Sequence, residues 1–147
     1  MSCNAGQQLI SLKSLMIMNR YVTDTQALVR FLSGSKGISK AADIIFNKAD
    51  AGENIIIIPA VVLCEIGYLH EKGRISVAVK DLRAVIEDSV NYREEQLSLE
   101  IIESSFAITD IPELHDRLIA GTARHLRLPL LTNDPVILAS SFVDCIR

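Results

Sequence analysis

Four acidic residues, Asp24, Glu65, Asp116 and Asp134, stand where a folded chain can bring them to one place. The densest stretch is HDRLIAGTARHLRLPLLTNDP, from His115 to Pro135, with an aspartate near each end. Its pattern predicts a helix from Asp116 to Arg127, about 18 Å long at 1.5 Å per residue. A strand from Pro129 to Asn133 then returns over about 15 Å. An outward run and a return run of similar length finish at one edge, so Asp116 and Asp134 are expected to lie close together. Asp24 follows a short strand and belongs at the same edge. Glu65 lies inside an apolar helix, whose side chains lean toward the N-terminus, so a long Glu can reach back. Carboxylates gathered in this way repel unless a cation sits between them or one takes up a proton. No Lys or His stands beside them at ligand or nucleophile spacing. The set therefore suits a hard cation with oxygen ligands, Mg²⁺ or Mn²⁺ rather than zinc. Such an ion activates water and steadies charge on a phosphodiester. Thr25, Thr132 and Asn133 lie beside the acids as candidate supporting donors.

Each acid also has a plainer reading. Asp24 can be a helix N-cap. Asp116 can serve the helix dipole, and Asp134 before Pro135 can be a turn or cap residue. Glu65 is hardest to explain away, because Val61, Val62, Leu63, Ile66 and Leu69 surround it in sequence. An ionised carboxylate there costs several kcal/mol unless it is paired or bound to a cation. Its plain alternative is an Arg partner distant in sequence. His115 reads as a positional or surface residue. Arg124, His125 and Arg127 read as a solvated helix end favoured by the dipole.

The elements that must position these residues alternate. Arg20 to Thr23 reads as a first strand, followed by the helix TQALVRFLSG with Ala27, Leu28, Phe31 and Leu32 on one face. Ser39 caps a helix from Lys40 to Ala51, with Ala41, Ile44 and Ile45 on its inner side and Lys48 on the flank. Ile55 to Ile58 is a continuous β-branched run, which suits a strand covered on both faces. Pro59 opens a helix from Ala60 to Lys72. Ser76 caps another from Val77 to Asp88, with Val79, Leu82, Val85 and Ile86 inward. These two helices form a hairpin beside Glu65. The hairpin carries apolar residues beyond the needs of its core face, among them Ile66, Tyr68 and Ile75, which can line a groove for a partner helix or a second copy of the chain. Tyr92 to Leu97 is a third strand and Leu99 to Ile108 an amphipathic helix. After Asp134 come a short helix, Val136 to Ser140, and an edge strand, Phe142 to Ile146. Such alternation implies one doubly wound α/β domain with a parallel sheet.

The chain has 147 residues, 49% of them hydrophobic, which is enough for one domain with a sizeable core. Its longest apolar run is too short to cross a bilayer as a helix. The three cysteines, Cys3, Cys64 and Cys145, form no CxxC, so a disulfide framework and a thiolate zinc site are not expected. A reducing cytoplasm fits that usage. The net charge of −3 argues weakly against a general electrostatic affinity for nucleic acid. Walker A, GxGxxG and GxSxG patterns are absent. A phosphatase with an aspartyl nucleophile would want a second Asp two residues after the first, where Gln26 stands. Residues 1–17 have no clear period and are expected to be an N-terminal extension, disordered or not native, that the fold does without.

The segments VTDTQALV, PAVVLCEIGYL and LHDRLIAGTARHLRLPLLTNDP, in this order, resemble the PIN-domain nucleases, and most of all the VapC-type toxins of bacterial toxin–antitoxin pairs. The resemblance covers residues 19–147, and its last motif is the most specific. It implies a PIN-like α/β/α sandwich with a central parallel sheet of four to five strands over residues 18–147. It further implies metal-dependent RNA cleavage, with Asp24, Glu65, Asp116 and Asp134 as the family's four acids. Asp24, Asp116 and Asp134 are expected to hold the metal. Glu65 completes the catalytic site, as a ligand through water or by orienting the attacking water. The implied partners are RNA, a small antitoxin that lays a helix beside the acids and a second copy of the chain, with no membrane. The alternatives are a catalytically silent PIN-like module that binds RNA or protein, and a nuclease acting on DNA.

Overall fold

In the second strand, β2 (Asn54–Pro59), every residue is buried. Four isoleucines in succession leave no polar face, so both sides of the strand must be covered, each side chain contributing about 1.5–3 kcal/mol through burial. The computed structural model describes residues 18–147, so the expectation for residues 1–17 lies outside the described residues. Five parallel strands form one sheet in the order β3-β2-β1-β4-β5. The others are β1 (Asn19–Thr23), β3 (Tyr92–Glu95), β4 (Leu130–Leu131) and β5 (Cys145–Ile146). Seven helices among the described residues connect them. α1 (Thr25–Leu32) and α2 (Lys40–Asp50) follow β1. α3 (Ala60–Glu71) and α4 (Val79–Asp88) follow β2. α5 (Leu99–Phe106) and α6 (Leu114–Leu126) follow β3. α7 (Pro135–Leu138) joins β4 to β5. This is the expected α/β/α arrangement.

The connectivity decides where a ligand can bind. From β1 the chain steps through β2 to β3, then crosses back to place β4 on the other side of β1. The strand order reverses between β1 and β4, and in such sheets the crevice at the carboxyl ends of those strands is the binding site. Asp24 and Asp134 both lie just past those ends.

Several local expectations need correction. The buried face of α2 is Ala42, Ile45, Phe46 and Ala49; Ile45 is inward and Lys48 outward as expected, but Ala41 and Ile44 are exposed. The phase is set by Phe46, whose ring stacks on Phe31 with centroids 4.6 Å apart. α4 begins at Val79 rather than Val77, because the Asp81 carboxylate accepts from the Ala78 N–H at 2.8 Å and fixes the start there. Val77 and Ala78 are buried, and Val79 is left 45% exposed. Ile66, expected to be surplus, is fully buried in the core. Ladder pairing at β4 covers only Leu130 and Leu131, because the Thr132 hydroxyl accepts from the Asp134 N–H and turns the chain. Helix α3 ends at Glu71 with Lys72 as its cap, and Gly73 turns the chain away with a φ of 69°, in the left-handed region that other residues avoid.

The IAGTA run in α6 also has a packing cause. Gly121 lies directly against Ser105 of α5, where an added Cβ would stand 2.6 Å from the Ser105 Cα. Backbone cannot retreat as a flexible side chain can, so α5 and α6 approach this closely only over glycine. Gly121→Ala is expected to destabilise the protein by about 3 kcal/mol, at the upper end for overpacking, read from the urea midpoint. An unchanged midpoint would contradict this close approach.

Candidate active site

Asp24 ends β1 and caps α1. Its backbone N–H donates to Leu131 O of β4 at 3.1 Å, and its Oδ1 accepts from the Ala27 N–H at 2.8 Å. Asp134 does the same for α7, its Oδ1 accepting from the N–H groups of Val136 at 2.9 Å and Ile137 at 3.1 Å. Both plain readings are therefore correct as far as they go. The caps engage Oδ1 alone, and the second oxygen of each carboxylate is left for other work.

Asp116 lies in the first turn of α6 rather than at its boundary, because the helix starts two residues earlier, at Leu114. Its backbone N–H donates to Glu113 Oε2 at 2.6 Å. Burial pushes the Asp116 carboxyl up to about 6, and the charges of Glu113, Asp134, Glu65 and Asp24 push in the same direction. Asp24 is also raised, chiefly by burial; Asp134 adds to the shift, while the Thr132 hydroxyl, the Ala27 N–H and the Arg30 charge oppose it. Glu65 projects from the second turn of α3. Burial raises its pKa, the Thr25 hydroxyl and His115 pull it down, and Glu113 and Asp24 push it up again. Each of the four acids thus lies in the field of others, so the fold brings all four expected residues to one edge.

No Lys or Arg pairs with Glu65 among the described residues. Its Oε1 is buried without a hydrogen-bond partner, and so is Thr25 Oγ1 beside it. The two groups are neighbours, but they do not close into a hydrogen bond. As placed, no three His, Cys, Asp or Glu side chains among the described residues form a ready-made ion cage. Mutual repulsion opposes a tighter approach of bare carboxylates. An all-oxygen donor set that makes no ion pair with Lys or Arg among the described residues, and has an orphaned buried carboxylate oxygen, fits a hard divalent ion.

Thr25 lies buried beside Glu65, and the Thr132 hydroxyl accepts from the Asp134 N–H at 3.0 Å. Asn133 turns to a cleft that it shares with Gln26 and Arg30. Arg124, His125 and Arg127 are exposed at the far end of α6. One residue went unread in the sequence, Glu113. It caps α6 and accepts from His115 Nδ1 at 3.0 Å through its other oxygen. Burial pushes its pKa up, but the N–H groups of Asp116 and His115 and the His115 ring outweigh that and hold it low. Its position after Pro112 and three residues before Asp116 was the available signal. Glutamate is an uncommon N-cap, so that signal was weak.

The PIN domain profile matches residues 21–141, and the chain belongs to the PIN domain family. Among solved structures it is similar to a chain of VapBC2 from Rickettsia felis bound to a promoter DNA fragment. The TM-score is 0.62 at 15% identity, covering 86% of this chain and 97% of that one. A chain of a toxin–antitoxin complex from Klebsiella pneumoniae gives 0.61 at 19% identity, covering 86% and 96%. Mycobacterium tuberculosis VapC20, a sarcin–ricin loop cleaving toxin, gives 0.59 at 19%, covering 86% and 98%. No curated protein sequence matches the chain. No described helix is long and apolar enough to cross a membrane.

Proposed function

We propose that the protein is a divalent-metal-dependent endoribonuclease, the toxin of a toxin–antitoxin pair, built as one PIN-like nuclease domain over residues 18–147. The observation that carries this reading is the convergence of four carboxylates that make no ion pair with Lys or Arg among the described residues, with Asp116 pushed up to about 6. Asp24, Asp116 and Asp134 would hold the ion, Mg²⁺ or Mn²⁺. When bound, that ion supplies charge stabilisation at the phosphodiester and lowers the pKa of water. The N-cap bonds of Asp24 and Asp134 fix the direction of their free oxygens, and α6 fixes that of Asp116. Glu65 Oε1, buried and unpartnered, is an acceptor for a proton of the attacking water, or orients it. Thr132 fixes the turn that carries Asp134, its hydroxyl accepting from the Asp134 N–H, and Thr25 Oγ1 lies beside Glu65 with its hydrogen bond still unmade.

The cysteines of the chain support a reducing cytoplasm. The likeness to chains solved in toxin–antitoxin complexes supports a small antitoxin as partner, and the family resemblance supports a homodimer.

The test is cleavage of single-stranded RNA by purified protein in Mg²⁺, in Mn²⁺ and in excess EDTA. Cleavage is expected with either ion and none with EDTA. Equal cutting in EDTA would end the metal reading. Cutting of single-stranded DNA in preference to RNA would move the substrate, and RNA binding without cleavage under every condition would favour a silent module.

A further inference from the structure

The carboxylate edge has a cationic flank to which the proposed reaction gives no role. Arg30 lies on α1, two turns beyond Asp24. Its Nη1 donates to the Gly37 carbonyl at 3.1 Å. The side chain lies flat on Gly37, where a Cβ would stand 3.2 Å from Nε. This holds the guanidinium at a narrow crevice of about 10 Å³, whose rim carries Gln26, Ser39, Thr132 and Asn133 over a floor that includes Ile38 and Ile146, so a phosphate would meet the rim and not enter. Thr132 and Asn133 immediately precede Asp134, and Gln26 is two residues past Asp24, so the cleft begins where the carboxylates end.

Three cations on or beside α6 are engaged, while Lys36, Lys40 and Arg147, neighbours in sequence of Gly37, Ser39 and Ile146, make no ion pair among the described residues. Arg117 donates to the carbonyls of Ile111 and Pro112. His115 is held by Glu113. Arg124 donates to Ser104 at the far end of α6. Arg30 makes no ion pair among the described residues, and its charge is felt at Asp24. A guanidinium has five N–H donors in a planar fork, and the Gly37 contact uses one.

We infer that Arg30, with the side-chain amides of Gln26 and Asn133, forms a positioning site for an RNA phosphate next to the one that is cut. The inference rests on the nuclease reading above. The proposed ion meets the phosphate that is cut, but the neighbouring phosphates of a polyanion still face a chain of net charge −3, and a protein cation beside the acids offsets that repulsion. The planar fork of Arg30 matches phosphate geometry. Through this contact the strand is registered along the switch-point crevice, with its next phosphate delivered to the acids.

The test uses the purified full chain with a short single-stranded RNA in Mg²⁺. Arg30→Gln is expected to raise KM about tenfold with a much smaller change in kcat, as loss of a contact made equally in the ground and transition states. On an Asp116→Asn background, where the RNA is not consumed, Arg30→Gln should reduce the slope of log affinity against log salt by about 0.7, one phosphate contact to single-stranded RNA. Arg30→Lys should restore the slope and only part of KM, because a point charge lacks the fork. Lys48→Gln removes the same charge from the exposed face of α2 and should move neither value. If Arg30→Gln has a lowered melting temperature, the Gln26→Ala, Asn133→Ala pair is read instead, with a KM rise of about threefold expected. An unchanged salt slope in well-folded Arg30→Gln, an unchanged KM in the amide pair or an equal effect of Lys48→Gln would overturn the assignment and leave the nuclease reading intact. A parent chain that neither binds nor cuts RNA overturns both.

Discussion

Asp116→Asn is expected to abolish RNA cleavage, with a loss of about a thousandfold or more, comparable to removing a principal electrostatic contact of a transition state. The fold should survive, because the α6 cap uses the Asp116 backbone N–H, which Asn keeps. The same substitution should change how stability responds to pH. In the folded chain the Asp116 carboxyl is raised from 3.8 to about 6. Between these values the native state binds more protons than the unfolded chain, so without metal the stability falls as pH rises through that window. Above about pH 6 the full repulsion is present. The metal-free protein should therefore melt higher at pH 5 than at pH 7, and Asp116→Asn should flatten that difference. Asp24 and Glu65 are raised in the same direction and leave a residual slope. A divalent ion should reverse the trend, since it competes with protons for the same oxygens and binds more tightly as pH rises. A metal-free protein that melts lower at pH 5 than at pH 7 would contradict the proposed crowding of charge.

Tyr68→Asp is expected to weaken a co-expressed antitoxin by about 2 kcal/mol or more while sparing cleavage. Tyr68 is 56% exposed and lines a groove of about 430 Å³ with Cys64, Glu65, Leu69 and His115. Tyr68, whose ring carries the Lys72 ammonium 5.5 Å from its centroid, and Glu65, one turn before it on α3, suit an amphipathic helix bearing one basic residue. That residue would be held by the carboxylates proposed for the metal. Inhibitor and metal should then compete, so raising Mg²⁺ should weaken inhibition. Titration of the complex at several Mg²⁺ concentrations, with and without Tyr68→Asp, measures both effects. A partner that binds Tyr68→Asp and the Asp24→Asn, Asp116→Asn pair as tightly as the parent would place the interface elsewhere.

The fold and the acidic edge could be read from sequence because their signals are local and strong. Ile55 to Ile58 has no polar alternate, and the distance from Asp116 to Asp134 follows from the rise per residue of a helix and a strand. What failed depends on contacts distant in sequence. The phase of α2 is set by Phe46 stacking on Phe31, and one residue of slip separates that face from the one centred on Ile44. Ile66 reads the same as Tyr68 in a nearly all-apolar helix, and only the packed core tells them apart. Glu113 was missed because it reaches the acids through backbone caps rather than by any spacing of carboxylates. Burial at Glu65, by contrast, was legible in its apolar neighbours, but that no Arg among the described residues pairs with it could be established only in three dimensions.

The double duty of Asp24 and Asp134 constrains how this chain can drift over generations. Each supports a helix through Oδ1 with the same side chain proposed to serve the ion. Asparagine or serine at either position keeps a good cap, whereas alanine loses about 1 kcal/mol. Descendants that abandon cleavage should therefore carry Asn or Ser at 24 and 134. Positions 65 and 116, whose side chains cap nothing, are free to take apolar residues that relieve the buried charge. Lineages retaining the fold without the activity would thus be recognised by which acids were replaced conservatively and which were simply lost.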